Sequence, residues 1–343
     1  DASPGGAARR STLEVHSHMG EGHLPVLVDE VLSSLAVGSG SSVADCTVGG
    51  GGHAERILEA TSPDGRLLGI DADRAAVSEA ERVLARFGDR VVLRHANFES
   101  IYDVATDSGL APLDGVLFDL GLSSYQLADL SRGFSFAADA PPDMRFDETS
   151  GVSALELIER SSERELAGIL ATFGEERRAG RIAKAIVAAR EEGRRMTSAE
   201  LAALVASVAP GRPGGADAGR IHPATRTFQA LRIAVNREVE VLSSGLAGAL
   251  AALRPGGRMA VISYHSLEDR IVKRFVARES RDCIEDPLPP VCTCGHRAQL
   301  RAVTKGVITP GPDEVRRNRR ARSAKLRVAQ KLAQARASEE GQA

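Results

Sequence analysis

A chain of 343 residues is long enough for one large domain or two smaller ones. Its formal net charge of −2 by itself indicates neither a nucleic acid nor a membrane as partner, and four cysteines are too few for a disulfide framework. With 43% hydrophobic residues, 3% aromatic residues and no Trp, the chain can bury a sizeable core that must be mostly aliphatic. No apolar run approaches the roughly 18 residues of a membrane span, and no signal peptide is visible. These features predict a cytoplasmic protein with reduced thiols.

Strands and helices are predicted to alternate along the first third of the chain. Residues 1–21 lack periodicity and predict a disordered tail, and Leu27, Val31 and Leu35 then have helical spacing. Strands that end in an acid are predicted at residues 43–45, 66–71 and 114–119, a further strand at 91–95, and helices at 54–60 and 74–86. This alternation predicts an α/β protein with a parallel sheet.

Four consecutive glycines, Gly49 to Gly52, separate the first predicted strand from the helix that follows. Glycine lets a ligand approach the backbone closely, and a helix N-terminus offers free N–H groups. Asp71 ends the next strand, where an acid can accept both ribose hydroxyls of an adenosine cofactor. The combination predicts a nucleoside-containing cofactor at the carboxyl ends of the strands.

The same glycines leave a second class of enzyme open. Residues 49–54 also satisfy the dinucleotide pattern G-x-G-x-x-G/A, so a nicotinamide dehydrogenase is an alternative. Two acids count against it. Asp45 ends the first strand, where dinucleotide folds usually continue with apolar residues into the glycines, and Asp119 ends the fourth strand, next to the expected position of a transferred group.

The alternation stops after Asp119. Residues 121–150 predict a long irregular segment, which is usually functional or disordered, and residues 153–209 predict helices alone. One long helix is predicted at 225–253, followed by a strand at 258–263, a helix at 267–278, and strands near 303–308 and 324–329. The simplest architecture is an α/β domain interrupted by a helical insertion.

A set of sequence blocks is more specific than any single motif. It comprises residues 45–53 (DCTVGGGGH), 69–71 (GID), 97–98 (NF), 118–124 (FDLGLSS), 132–136 (RGFSF), 143–145 (DMR), 222–230 (HPATRTFQA) and 263–270 (SYHSLEDR). Together the blocks resemble the bacterial ribosomal RNA small subunit methyltransferase H family, formerly MraW. The resemblance extends from about His23 to Lys331, nearly the whole chain.

The resemblance implies a class I S-adenosylmethionine-dependent methyltransferase (Rossmann-like) fold with an inserted all-helical domain. It implies methylation of the exocyclic N4 of a cytidine in the decoding region of 16S rRNA, with 16S rRNA or the small ribosomal subunit as partner. The expected division is a tail at 1–21, methyltransferase parts at 22–129 and 221–331, an RNA-recognition insertion at 130–220, and a tail at 332–343. The oligomeric state stays open, with a homodimer as one option.

The resemblance also assigns the cofactor site, motif by motif. Gly51, Gly52 and His53 are expected at the methionine part of S-adenosylmethionine, and Asp71 at its ribose. The adenine is expected beside Phe98, with the pocket completed by Asp119 and Gln126. One departure is Tyr125, where the family often has proline before the glutamine.

The residues suggest catalytic candidates. The N4 lone pair is delocalised into the cytosine ring, so the enzyme must position the amine and accept its hydrogen bonds as charge develops. Asp119 is the first candidate for this role, and Ser123 and His265 are weaker ones. For His265 the alternative is a structural role, and Ser266 is a predicted helix N-cap, with Asp269 three residues on.

Two basic groups predict contacts with RNA phosphates. Arg177, Arg181 and Lys184 have the spacing of one helix face, although a solvated helix surface would explain them as well. The second group lies in the dense basic segment 316–327 and includes Arg319, Arg320 and Arg322. A non-catalytic RNA-binding protein with the same fold is a third alternative, and the complete set of cofactor residues favours the enzyme.

The cysteines raise the question of zinc. Cys292, Cys294 and His296 alternate, with Cys283 upstream. The spacing is tighter than the usual Cys-x₂₋₄-Cys knuckle, and alternate residues also lie on one side of any extended segment. The sequence therefore predicts no metal site, with zinc as the minority alternative.

Overall fold

The computed structural model describes residues 25–209, 222–285, 291 and 293–333. The predicted tail at 1–21, most of the tail at 332–343 and the end of the predicted insertion lie outside these residues. The described strands are β1 (Ser42–Asp45), β2 (Arg66–Asp71), β3 (Val91–His95), β4 (Leu113–Asp119), β5 (Leu253–Ser263), β6 (Leu300–Ala302) and β7 (Lys325–Lys331).

The described helices fall into three groups along the chain. Those among the first four strands are α1 (Val28–Leu35), α2 (Gly52–Ala60), α3 (Arg74–Leu84) and α4 (Ile101–Asp107). Between β4 and β5 lie α5 (Ser124–Ala128), α6 (Ala154–Arg160), α7 (Glu163–Gly174), α8 (Ala179–Glu191), α9 (Ser198–Val208), α10 (Thr225–Val235) and α11 (Glu238–Ala252). After β5 come α12 (Ser266–Glu279) and α13 (Pro312–Arg317).

The seven described strands form one sheet in the order β3-β2-β1-β4-β5-β7-β6. The first five are parallel, and β7 runs antiparallel to both β5 and β6. The carboxyl ends of the parallel strands therefore meet at one edge, where Asp45, Asp71 and Asp119 end β1, β2 and β4. The predicted parallel sheet is confirmed.

Alternation along the buried strands builds a core on each face of the sheet. Successive side chains point to opposite faces, so Phe118 packs toward α4 and α11 while Leu117 packs toward α1 and α2. A separate apolar cluster is formed by residues of all five helices from α6 to α10. It includes Leu170, Ile186 and Phe228. The chain between β4 and β5 thus has its own core, to which α10, beyond residue 220, contributes.

Two predicted elements are wrong in detail. The single helix predicted at 225–253 is two helices, because Arg237 takes a left-handed conformation (φ 50°) between α10 and α11. The strand predicted at 303–308 is instead β6 at 300–302, and Ile308 makes an isolated bridge with Leu326. Among the described residues, no helix has the length and apolarity that a bilayer span requires.

Candidate active site

A cavity of about 1080 Å³, measured with its open mouth, lies at the carboxyl edge of the parallel strands. α/β proteins bind ligands at this edge. The lining includes residues at or just after the ends of β1, β2 and β4 and residues in the first turns of α5, α11 and α12: Gly49, Asp71, Asp119, Gln126, Glu238 and Glu268. The cavity is therefore the candidate active site.

The glycine turn forms one wall of the cavity. Gly51 is the N-cap of α2 with φ 89°, a conformation that favours glycine. Gly52 and His53 line the cavity, whereas a Cβ atom on Gly51 would meet Leu84, 3.4 Å away. Gly51 thus forms the turn, and its predicted contact with the cofactor stays a prediction.

Asp71 is held rigidly at the end of β2. Its Oδ2 accepts the N–H of Gly49 at 2.9 Å and its Oδ1 accepts the N–H of Asp73 at 2.9 Å. Burial raises the pKa of Asp71 to about 6. Because a carboxylate has about four lone-pair sites, each oxygen can still accept a hydroxyl from the cavity.

Phe98 and Gln126, both predicted from sequence, line the same cavity. The ring of Phe98 packs edge-on against Phe118, with centroids 5.3 Å apart. The side-chain amide of Gln126 accepts the N–H of Ser123 and donates to Asp73, each at 3.0 Å. Phe98 therefore supplies a flat apolar surface to the cavity, and Gln126 supplies a polar group whose orientation is fixed.

Arg132, which was not among the predicted site residues, organises the chain beside the cavity. Its buried guanidinium lies 3.0 Å from Asp73 and donates to the carbonyls of Arg145 and Phe146 at 2.8 and 3.0 Å. Asp73 also caps α3 through the N–H of Ala75. The long irregular segment after Asp119 is thereby tied to the cofactor side of the sheet. Arg132 could have been found from sequence, because it is the first residue of the RGFSF block at 132–136.

Asp119 lies between two groups that line the cavity with it. Its Oδ1 accepts the hydroxyl of Tyr264 at 2.8 Å, and its Oδ2 is 3.4 Å from Nε2 of His53. Burial and the carboxylate raise the pKa of Tyr264, so this hydroxyl stays protonated and donates. Burial lowers the pKa of His53, but Asp119, Asp45 and Glu314 together outweigh burial and the net shift is upward. The 3.4 Å separation is an ion-pair distance, longer than a good hydrogen bond.

Asp45 is a buried acid behind this pair, and we expect it to make stability depend on pH. Its Oδ1 accepts the N–H of Thr47, whereas Oδ2 has no hydrogen-bond partner in the described residues. Burial raises the pKa of Asp45 from 3.8 to about 7. The folded state therefore holds this proton where the unfolded state has lost it, and stability falls as pH rises from about 4 to 7.

The substitution Asp45→Asn removes this contribution. The melting temperature of the variant should exceed that of the wild type at pH 8, and the difference should shrink as pH falls toward 5. Differential scanning calorimetry of both proteins without cofactor measures this difference in melting temperature. The other titrating groups are the same in both proteins, so the pH dependence of the difference reports residue 45. A difference that does not change with pH would contradict a buried acid of raised pKa.

Two of the predicted catalytic candidates serve as helix caps. Ser123 lines the cavity, but its Oγ accepts the N–H of Gln126 at 3.1 Å. His265 accepts the N–H of Glu268 at Nδ1, so it is the N-cap of α12. The prediction of Ser266 as N-cap is wrong, because Ser266 begins the helix and donates to Glu175 at 2.8 Å. The structural alternative for His265 is thus supported.

A second buried charged group, formed by Glu238, Glu268 and Arg232, lies at the cavity. Both oxygens of Glu238 accept from Arg232, at 2.7 and 2.9 Å, and Glu268 accepts the N–H groups of Tyr264 and His265. Burial raises the pKa of Glu238 despite Arg232. In Glu268, burial also favours the protonated form, but His265 and Arg232 outweigh it and the pKa is lowered.

This charged wall was missed from sequence. Glu268 lies within the SYHSLEDR block, but Glu238 lies outside every block. Ligand atoms of Glu238, His265 and Glu268 lie within 4.8 Å of one another, close enough for a metal ion. The guanidinium of Arg232 already neutralises Glu238, which disfavours a further cation there.

The basic residues predicted to meet RNA are exposed, but the structure divides them. Arg181 and Lys184 lie on α8, whereas Arg177 precedes it, so the prediction that all three share one helix face is wrong. In the second group, Arg327 and Lys325 pair with Asp269 at 2.8 and 3.7 Å. The exposed residues Arg319, Arg320 and Arg322 lie in a short turn after α13.

The helix that precedes this turn, α13, lies close to the cavity lining. Glu314 on α13 accepts the N–H of Leu27 at 2.8 Å, and its charge contributes to the raised pKa of both His53 and Tyr264. Glu314 is therefore close to residues that line the candidate site, and the basic turn follows it along the chain.

The sequence model that describes the MraW methylase family matches residues 20–332 of this chain. The chain belongs to this family.

Relatives from several bacteria agree with the family match. The ribosomal RNA small subunit methyltransferase H of Thermomicrobium roseum is 49% identical over 326 residues, covering 95% of this chain and 98% of the relative. The protein of the same name from Syntrophotalea carbinolica is 49% identical over 310 residues, covering 90% and 98%. Among solved structures, a putative rRNA methylase from Clostridium thermocellum is 13% identical with a TM-score of 0.42, covering 89% and 95%.

This chain, as a member of the MraW family, is a methyltransferase that uses S-adenosylmethionine as its cofactor. It has the predicted class I Rossmann-like fold. The nicotinamide dehydrogenase alternative is therefore wrong. The cavity fits the cofactor on its own evidence. Carboxylates of Asp71 and Asp119 line it and the unpartnered Oδ2 of Asp45 lies behind it, which suits ribose hydroxyls and a ligand with positive charges.

Proposed function

We propose that this MraW family member methylates the exocyclic N4 of a cytidine in the decoding region of 16S rRNA. The observation that carries the proposal is the acidic lining of one cavity, where Asp119, Glu238 and Glu268 lie together. The amino group of cytosine donates hydrogen bonds, and Asp or Glu side chains are its usual acceptors in base recognition. The names of the relatives, which specify the small ribosomal subunit, support an rRNA substrate.

The residues divide the work between cofactor and base. Asp71, Phe98, Gln126 and the turn at residues 49–53 would hold S-adenosylmethionine, which when bound supplies an electrophilic methyl group. Asp119 places negative charge where the attacking nitrogen becomes cationic, an electrostatic contribution that is often the largest in catalysis. Tyr264 orients this carboxylate through its 2.8 Å hydrogen bond.

The charged wall is assigned to the base. Glu238 and Glu268 already have fixed partners, so their free lone pairs are preorganised acceptors in the lining of the cavity. Ser123 and His265 then act by positioning Gln126 and Glu268, since both are caps.

RNA recognition is assigned to two surfaces. One is the helical insertion at 130–220, where Arg181 and Lys184 are exposed on α8. The other is the turn with Arg319, Arg320 and Arg322, which follows α13. A partner of this kind, 16S rRNA or the small subunit, places the protein in the cytoplasm. A homodimer remains one option for its assembly.

Reversing the charge of the basic turn tests the second surface. In the triple variant Arg319→Glu, Arg320→Glu and Arg322→Glu, we expect the KM for RNA to rise on the order of tenfold, because interactions with phosphates dominate affinity. The dependence of KM on salt should flatten, by about one in log–log slope for each phosphate interaction removed. Affinity for S-adenosylhomocysteine should not change.

A matched control makes the same charge change on the opposite edge of the sheet. Arg66, Arg254 and Arg301 are exposed near the amino ends of the parallel strands or level with them. The control triple, with Glu at these positions, should keep the wild-type KM and salt dependence. If both triples behave alike, the turn at 319–323 has no specific part in RNA binding.

The function itself is tested by methyl transfer. Small subunits that lack the modification are incubated with labelled S-adenosylmethionine, and the RNA is digested to nucleosides. We expect label in N4-methylcytidine from a single position of 16S rRNA, and a comparison with free 16S rRNA identifies the preferred substrate. Label in another nucleoside, or no label in 16S rRNA, would overturn the proposal.

A further inference from the structure

The loop that joins α12 to β6 brings two cysteines and a carboxylate together, and none of the three lines the active-site cavity. Sγ of Cys283 and Sγ of Cys294 are 4.0 Å apart, and Oε2 of Glu285 is 3.8 Å from the sulfur of Cys283. The three donor atoms all lie within 4.8 Å of one another. Nothing in the methyl-transfer chemistry uses these groups.

These separations match a metal site better than a covalent bond between the two sulfurs. A disulfide joins its sulfurs at about 2.05 Å. Two thiolates on one tetrahedral zinc, each about 2.3 Å from the metal, are separated by about 3.8 Å. The observed 4.0 Å between the sulfurs and 3.8 Å between sulfur and carboxylate oxygen are close to the edges of such a tetrahedron.

Hydrogen bonds from neighbouring residues hold Cys294 and Glu285 in place. The backbone N–H of His296 donates to the sulfur of Cys294, 3.4 Å away, which orients this side chain. Glu285 reaches across the loop to the Oγ1 of Thr293 at 3.0 Å. The two ends of the loop are joined where Gln299 donates to the carbonyl of Glu279 at 2.7 Å.

The constellation differs from the one read in the sequence. There the candidate ligands were the alternating Cys292, Cys294 and His296. In the structure Cys294 meets Cys283 and Glu285, while the ring of His296 lies 3.7 Å from Glu279. Cys292 lies outside the described residues. Spacing along the chain could not reveal this set, because contacts across the loop bring Cys294 to Cys283 and Glu285.

We propose that Cys283, Glu285 and Cys294 bind a zinc ion that fastens the loop between α12 and β6. Two sulfurs and one oxygen suit zinc, a borderline-soft ion that accepts thiolate and carboxylate together. Val291, a described apolar residue of the loop, is 75% exposed, so its packing does little to hold the loop. A metal that joins residues 283 and 294 supplies the constraint that packing lacks and holds the edge strand β6 in place.

Metal content under reducing conditions tests the proposal. The purified full chain is saturated with Zn²⁺, passed over a desalting column, and measured by mass spectrometry for zinc per chain. We expect about one zinc in the wild type and a loss in both Cys283→Ser and Cys294→Ser. Cys46→Ala is the matched control, because Cys46 is buried in the core of the sheet and should not affect zinc.

A second measurement reports the ligands and the effect on the fold. With Co²⁺ in place of Zn²⁺, the wild type should show near-ultraviolet thiolate-to-cobalt bands, which both cysteine variants should weaken. A chelator should lower the melting temperature of the wild type but not of Cys283→Ser. Zinc retained at full stoichiometry in both variants, no zinc in the wild type, or a disulfide between residues 283 and 294 in the reduced protein would each overturn the site.

Discussion

The variant Asp119→Asn should lose turnover by roughly 10²-fold or more while its affinity for S-adenosylhomocysteine falls only modestly. The substitution keeps the size of the side chain and one acceptor for Tyr264, but it removes the negative charge. Uniform binding of the cofactor changes affinity, whereas charge that matters in the transition state changes turnover. Single-turnover methylation at saturating cofactor and RNA measures the second, and calorimetry the first.

Tyr264→Phe is the companion variant. It removes the 2.8 Å hydrogen bond to Asp119 but keeps the charge and the ring, so its turnover should fall by less than that of Asp119→Asn. If Asp119→Asn reacts within a few fold of the wild type, Asp119 serves cofactor binding alone. Glu238 and Glu268 would then be left as the groups that act on N4, since Ser123 and His265 are committed to caps.

The variant Asp71→Ala should weaken cofactor binding by about 2–4 kcal/mol, which is roughly 30- to 1,000-fold, because two hydroxyl hydrogen bonds to a charged acceptor are removed. Stability should change far less. The carboxylate is buried, with a pKa raised to about 6, so its removal also relieves a buried charge. Isothermal titration with S-adenosylhomocysteine and thermal melting of the free protein measure the two effects separately.

Two further variants make this result specific. Asp71→Asn keeps one acceptor for the N–H of Gly49 or Asp73 and should bind better than Asp71→Ala. Asp114→Asn is the control, because Asp114 lies at the other end of β4 and accepts the N–H of Ser42 at 2.8 Å. Cofactor affinity equal to that of the wild type in Asp71→Ala would remove Asp71 from the ribose site.

The fold was largely predictable because its signals are local. Buried parallel strands appear as short apolar runs, and the acids at their ends lie at the sheet edge where a ligand binds. Hence β1 to β5 and the positions of Asp71 and Asp119 could be predicted from sequence. The helix break at Asn236 and Arg237 could not, because the apolar stripe continues through it. The break is held by tertiary contacts, in which the amide of Asn236 bonds Met144 and Phe146 at 2.7 Å.

The sequence by itself determined the alternating architecture, the glycine turn, the acids at the strand ends and the family, since each depends on neighbouring residues or on motif blocks. Tertiary structure alone decided which side chains share the cavity. Glu238 and Glu268 come from different helices, and Arg232 neutralises one of them across the turn between α10 and α11. Cys283 and Cys294 are likewise brought together by the path of a loop. Proximity between distant residues is a property of the packed fold, and residue spacing does not encode it.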